Sequence, residues 1–381
     1  MSLLDSHIGC GHDVSPPENP PQQAWDVTGP IPAKSTVMDY GYVTNGQAVG
    51  CTPQELMEAV VHRNISFVWT PETPTPVRPE QLPFLMETFR HIEARNGRNL
   101  SSLGMVLLAI GVVIAFLKDE GTLLQNVVFV VGAFLLSWGN WKYWRARNFT
   151  QEDVISNASY ARFIDWIKPN SVSGYTLTLL ASIIVVTILQ GVAPDAIALA
   201  ALVKSNVWDG EVWRLFTATL MHGKFEHVLL NAVSLVWLSK IIGQTLPRAL
   251  VLPLFLVSAV VGNVFSVVLS PDTSMGASGG MMGLMGFIVV AAYFDRTNYP
   301  QRFFKHMWKP IATVFAFSLF GLSYFDNAAH LGGLVTGALL GLLYVTQAWA
   351  KLTGKPLRFA GVVGTLAIVF TAIFAISRLI S

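Results

Sequence analysis

The stretch Gly276-Ala277-Ser278-Gly279-Gly280-Met281-Met282-Gly283 opens an apolar run that continues to Phe294. Its extent, 277–294, is close to the ~20 residues an α-helix needs to cross a bilayer. A glycine-flanked serine sits just inside that run. Polar groups at membrane depth are costly and are functional candidates by default.

The run is one of nine, at 100–117, 121–138, 173–191, 222–240, 249–270, 277–294, 308–324, 327–346 and 359–379. The chain's composition agrees: 52% of its 381 residues are hydrophobic and 13% charged, against roughly 25% charged in soluble domains. Mean hydropathy is +0.50. These values exclude an ordinary soluble enzyme, a disordered tail and a nucleic-acid binder. They predict an all-α polytopic membrane protein. No inverted repeat of the kind that marks many transporters is visible.

The net charge of +2 conceals two regions. Residues 1–98 carry 6 Lys/Arg and 11 Asp/Glu, whereas 99–381 carry 19 and 12. The first region reads as a soluble α/β module with a disordered start of ~35 residues. Met1–Pro32 lacks the basic and apolar regions of a signal peptide. Thr52-Pro53-Gln54-Glu55 predicts a capped helix start, Ile65–Trp69 a strand, and Pro71–Pro83 an extended linker. Cys10 and His12 have no second pair at metal-binding spacing, so no metal is expected. Cys10 and Cys51 indicate no disulfide framework.

Loop charges set the expected orientation. The segments 139–172, 240–248, 295–309 and 347–358, with Arg90, Arg95 and Arg98, hold seventeen Lys/Arg. The opposite side holds five: Lys118, Lys204, Arg214, Lys224 and Arg378. The N-terminal module is therefore predicted to be cytoplasmic and the C-terminus external.

Among these spans the histidines are few. His222 and His227 open one run, with Asn231 four residues after His227 on the same face; His330 lies near the start of another. All three spans run from outside to inside, which puts His227, Ser278 and His330 within ~8 Å of one another in depth at 1.5 Å rise per residue. Gly279 and Gly283 face a possible ridge of Gly333, Gly337 and Gly341, spacing that allows close backbone approach. Glycine ridges are ordinary membrane packing, and an intramembrane serine commonly bonds its own helix. Matching depth is what points to a serine–histidine pair. A transporter would call for carboxylates or paired charges at mid-depth, and the core runs contain none there.

Gly276-Ala277-Ser278-Gly279, Asn327-Ala328-Ala329-His330-Leu331-Gly332-Gly333, and Leu220-Met221-His222 followed by His227 and Asn231 together resemble the rhomboid family of intramembrane serine proteases. Trp213-Arg214 and Gly262-Asn263 add to the resemblance, which covers residues 173–346. It implies a six-helix core at 173–346; outside the resemblance lie the soluble module 1–98 and an extra hairpin with its loop at 99–172. An additional C-terminal helix occupies 347–381. It further implies that Ser278 is the nucleophile and His330 the general base. His227 and Asn231, with the Ser278 N–H, would hold the oxyanion. His222, Trp213 and Arg214 would brace the first loop, and Gly276 and Gly279 would support the serine.

The family needs no metal, ATP or organic cofactor. The implied partners are the lipid bilayer and single-span membrane proteins cleaved near the extracytoplasmic face, in a bacterial inner or cell membrane. One departure is Met282, where the family often carries an aromatic residue against the histidine. The run 308–324, with Phe315, Phe317 and Phe320, is the expected lateral gate. The nearest rival is an inactive rhomboid-like binding or trafficking protein, but such proteins usually lack the serine or the histidine.

Overall fold

A computed structural model describes residues 38–44, 47–62, 65–73, 75–118, 127–169, 171–295, 298–300, 302–319, 326–346 and 355–380. The start expected to be disordered lies outside these residues.

Three strands form a small sheet: β1 (Tyr40–Thr44), β2 (Gln47–Cys51) and β3 (Ile65–Trp69), ordered β2-β1-β3 with both pairings antiparallel. Helix α1 (Pro53–His62) crosses between β2 and β3. It starts where the sequence predicts, because Thr52 Oγ1 accepts from the Glu55 N–H and the Glu55 carboxylate accepts from the Thr52 N–H at 2.8 Å. Leu56 on α1 packs with Tyr42, Val68 and Leu85 in a dry core. The predicted linker is not purely extended. Val77 pairs with Val68, and short 3-10 turns occupy Pro79–Gln81 and Pro83–Leu85.

Helix α2 (Met86–Lys118) runs unbroken out of this module, so the boundary expected at residue 98 falls inside a helix. It packs antiparallel on α3 (Val127–Arg145), which runs past the expected end at 138, while 121–126 lie outside the described residues. A Cβ on Gly104 or Gly139 would strike the backbone of the opposite helix, so these helices touch main chain to main chain. Ser101 Oγ donates to Asn140 Oδ1 across the interface at 3.1 Å. The segment 139–172, read as a loop, contains the end of α3 and a further helix, α4 (Gln151–Ile167). A reciprocal box between Thr150 and Asp153 starts α4.

The remaining helices are α5 (Gly174–Gln190), three short ones, α6 (Ala196–Ala200), α7 (Lys204–Trp208) and α8 (Arg214–Thr217), then α9 (Phe225–Thr245) and α10 (Val251–Leu269). They are followed by α11 (Ser278–Phe294), α12 (Phe303–Leu319), α13 (Asn327–Val345) and α14 (Lys355–Ile380). Among the described residues, five helices are long and apolar enough to cross a membrane; α5 and α11 are shorter apolar helices. The chain is an all-α polytopic membrane protein with a small N-terminal sheet. Helix α12 starts earlier than the expected 308, because Phe303 and Met307 bury against the core. Tyr160 of α4 stacks on His306 of α12 with ring centroids 4.1 Å apart, and Phe163 packs edge-on against Phe303.

The centre of the bundle is α10, α11 and α13. A Cβ at Gly333 or Gly337 would overlap the carbonyl oxygens of Gly279 and Gly283, and one at Gly262 would lie 2.6 Å from the Ala329 carbonyl. On α13 the large residues Leu331, Val335, Leu339 and Leu342 are exposed, while Gly333, Gly337 and Gly341 are buried. Bulk outside and glycine inside is how helices associate closely in lipid, where apolar burial between them gives little drive.

Candidate active site

Ser278 is the first residue of α11, reached through a sharp turn. Gly276 makes that turn: its φ is +140°, which L side chains rarely adopt, and a Cβ there would lie 2.7 Å from His227 Cε1. The Gly276 N–H is fixed by the Ala218 carbonyl at 2.9 Å. Ser278 therefore stands where a helix begins, with amide N–H groups that have no acceptor within the helix and a positive dipole end.

His330 lies in the first turn of α13, which Asp326 caps by accepting from the Ala329 N–H at 2.9 Å. The glycine contacts bring the two helices so close that His330 Nε2 and Ser278 Oγ are 2.7 Å apart. His330 is buried, at 1% exposed. Met282, where the resemblance led one to expect an aromatic, is also buried. The aromatic neighbour comes from another helix: Phe315 of α12 meets the His330 ring edge to face, with centroids 6.4 Å apart, within the favourable range for such pairs. The side chain of Phe317 and all of Phe320 lie outside what is described.

His222 and Asn231 form a second polar pair, with Asn231 Nδ2 donating to His222 Nε2 at 2.9 Å. The Ala277 N–H also points to His222 Nε2, at 3.4 Å. Two donors on Nε2 place the proton on Nδ1, which donates to the Leu220 carbonyl at 3.3 Å. Gln190, at the end of α5, clasps the His222 backbone in both directions, at 2.8 and 3.0 Å. His222 thus ties Asn231 to the residue preceding Ser278. His227 lies beside Gly276, edge-on to His222 with centroids 5.0 Å apart.

Arg214 is buried in the segment between α5 and α9, where its guanidinium donates to the carbonyls of Ala198 and Ala201, both at 2.8 Å. Trp213 stacks against Arg214 and Arg378 and meets Phe374 of α14 edge-on. Gly279 faces the Ala329 carbonyl, which leaves little room beside the serine. Asn263 pins α10 to the same segment through the Leu215 carbonyl at 2.7 Å.

Sequence reasoning missed Gln190, Phe315 as a ring neighbour of His330, and the polar set Lys204, Ser266, Ser274 and Asp326. Asp326 carried a local signal, an aspartate three residues before Ala329 at a helix start. The others are brought in only by tertiary packing. Among the described residues, no group of three or more His, Cys, Asp or Glu is arranged to hold a metal.

Comparison with known proteins gives the same direction. A Rhomboid domain family model matches residues 209–347. The chain is 33% identical over 147 residues to the putative rhomboid protease YdcA of Bacillus subtilis, covering 37% of this chain and 72% of that protein. It is 32% identical over 141 residues to the rhomboid protease GlpG of Haemophilus influenzae, covering 35% and 71%. With RHOMBOID-like protein 5 of Arabidopsis thaliana it shares 29% over 157 residues, covering 40% and 51%. Of that protein and two other relatives, it spans between 34% and 51% of the length. With a bundle built around Ser278 and His330 and this likeness across its centre, the chain belongs to the rhomboid family.

Proposed function

We propose that this chain is an intramembrane serine endopeptidase working with a Ser278–His330 dyad. The observation that carries the reading is the 2.7 Å contact between Ser278 Oγ and His330 Nε2 across a glycine-packed interface. That distance suits proton transfer from hydroxyl to imidazole. The names of the Bacillus and Haemophilus relatives, putative rhomboid protease YdcA and rhomboid protease GlpG, support the same reading.

In the proposed reaction His330 Nε2 takes the Ser278 proton as Oγ attacks the scissile carbonyl. The oxyanion of the tetrahedral intermediate is held by the Ser278 N–H, Asn231 and His227. Preorganised donors of this kind are commonly the largest electrostatic contribution to catalysis. Collapse breaks the C–N bond, and His330 returns its proton to the leaving amine. Water, deprotonated by His330, then hydrolyses the acyl ester and restores the serine. A helical substrate shields its own carbonyls, so it must unwind locally. The substrates are therefore single-span membrane proteins with small or helix-breaking residues near the site.

The Lys/Arg bias supports a cytoplasmic N-terminal module and a site opening to the extracytoplasmic side. A bacterial inner or cell membrane is the proposed location. Comparing wild type with Ser278→Ala on a model transmembrane substrate tests the reading. Cleavage should fall by about 10⁴-fold or more, and a serine-directed probe should label only the wild type. Equal cleavage by both proteins, or an unlabelled wild type, would sink it.

A further inference from the structure

Ser278 and His330 each follow, by four residues, a member of a second buried polar cluster. Ser274 precedes the serine, and Asp326 precedes the histidine. Lys204, the first residue of α7, lies between them. Its ammonium donates to Ser274 Oγ at 2.8 Å and to Ser266 Oγ on α10, and lies 3.8 Å from Asp326 Oδ2. The Ser266 hydroxyl in turn donates to Asp326 Oδ2. Side-chain exposure is 7% for Lys204 and 14% for Asp326, so the pair is largely withdrawn from solvent.

The backbone carries this cluster to both reacting groups. Leu202 and Ser274 exchange N–H···O bonds at 2.9 and 3.3 Å, which fixes the approach to α11 against the segment before α7. Asp326 Oδ1 caps α13 at the Ala329 N–H, and its main-chain carbonyl accepts from the His330 N–H at 2.9 Å. One ion pair thus joins four segments: the start of α7, the end of α10, the strap before the nucleophile and the first turn of the base helix. A well-packed apolar cluster of similar volume often matches or exceeds a buried ion pair in stability. What directional, charge-assisted bonds add is a fixed register.

Burial lowers the pKa of the Lys204 ammonium, and Asp326 opposes that shift. The Asp326 carboxyl, despite burial that pushes it up, is held below its ordinary value by Ser266, the Ala329 N–H, Ser274 and Lys204. Each group therefore favours the charged form of the other.

We propose that Lys204 and Asp326 are positioning residues for proteolysis, setting the separation of Ser278 and His330 through the strap before the serine and the first turn of the base helix. This rests on the protease reading above. The test measures kcat and KM on a transmembrane substrate for the full chain, as wild type, Asp326→Asn, Lys204→Met and the double variant. Asparagine keeps the N-cap, so Asp326→Asn removes charge while leaving the helix start.

Each single variant should lose about 10- to 100-fold in kcat with KM changed by less than about twofold, as expected for a misplacement on the order of 1 Å. Labelling of Ser278 by a fluorophosphonate should slow in parallel. The double variant, which leaves no unmatched buried charge, should recover to within about fivefold of wild type. Should Lys204→Met fail to fold, Asp326→Asn alone decides, by the same kcat and labelling rates. Wild-type kcat and labelling in Asp326→Asn, or an effect on KM alone, would overturn the positioning role and leave the protease reading intact. A wild type that neither cleaves nor labels would overturn both.

Discussion

Two interfaces in this molecule use the same packing device to different ends. In the α2–α3 hairpin, Gly97, Gly104, Gly132 and Gly139 bring two backbones into contact. Between α11 and α13, Gly279, Gly283, Gly333 and Gly337 do the same. The hairpin holds across its contact a neutral hydrogen bond, Ser101 to Asn140, and toward its base an ion pair, Lys142 to Glu93 at 3.2 Å. The core interface holds Ser278 against His330 and is closed at one end by the Lys204–Asp326 cluster. Close approach of glycines is therefore a means of holding polar groups at short range in lipid, and the groups held decide what an interface does.

The largest test of that distinction inserts bulk into each interface. Gly337→Val should drive α11 and α13 apart and abolish both cleavage and probe labelling, since a Cβ there overlaps the Gly283 carbonyl and overpacking costs about 1–3 kcal/mol or more. Gly104→Val meets equally close backbone in the hairpin but should leave Ser278 labelling near wild type. Equal loss of labelling in the two variants would break the comparison. A smaller effect is expected from Asn231→Ala. Removing an oxyanion donor should lower kcat by about 10²- to 10³-fold, with about 1 kcal/mol of stability lost with the bond to His222. The smallest is Ser101→Ala, which should cost about 0.5–1.5 kcal/mol of stability without altering kcat.

How much of this was legible in the sequence depended on whether a signal was local. Long apolar runs are legible because hydropathy needs only consecutive residues: of the nine expected spans, five fall on helices long and apolar enough to cross a membrane and two on the shorter apolar helices α5 and α11. Ser278, His330 and the facing glycine ridges stood out because polar residues are scarce there. Helix α4 was overlooked although Thr150 and Asp153 form a box at its start, since its polar composition hid it among loop charges. Strands β1 and β2 are interrupted by Gly41 and Gly50, whereas β3, of the same length, is an almost unbroken run of β-branched and aromatic residues. His222, in the loop before α9, partners Asn231 on α9, and Phe315 on α12 meets His330 on α13. No spacing rule within one helix contains those pairs. Lys204 and Asp326 were read separately, as a loop charge and a span end, and only the fold makes them neighbours.

The unbroken course of α2 has a mechanical consequence. Its 33 residues make a rod of ~50 Å that begins against the N-terminal sheet module and ends in the hairpin. There is no joint at the membrane surface about which the module can swivel. Gln151 bonding the Gln81 carbonyl at 2.9 Å and Arg162 pairing with Glu80 fasten its base to α4 as well. The module should therefore tumble at the rate of the whole membrane particle, and a spin label or fluorophore placed on α1 would report the orientation of the bilayer-embedded body.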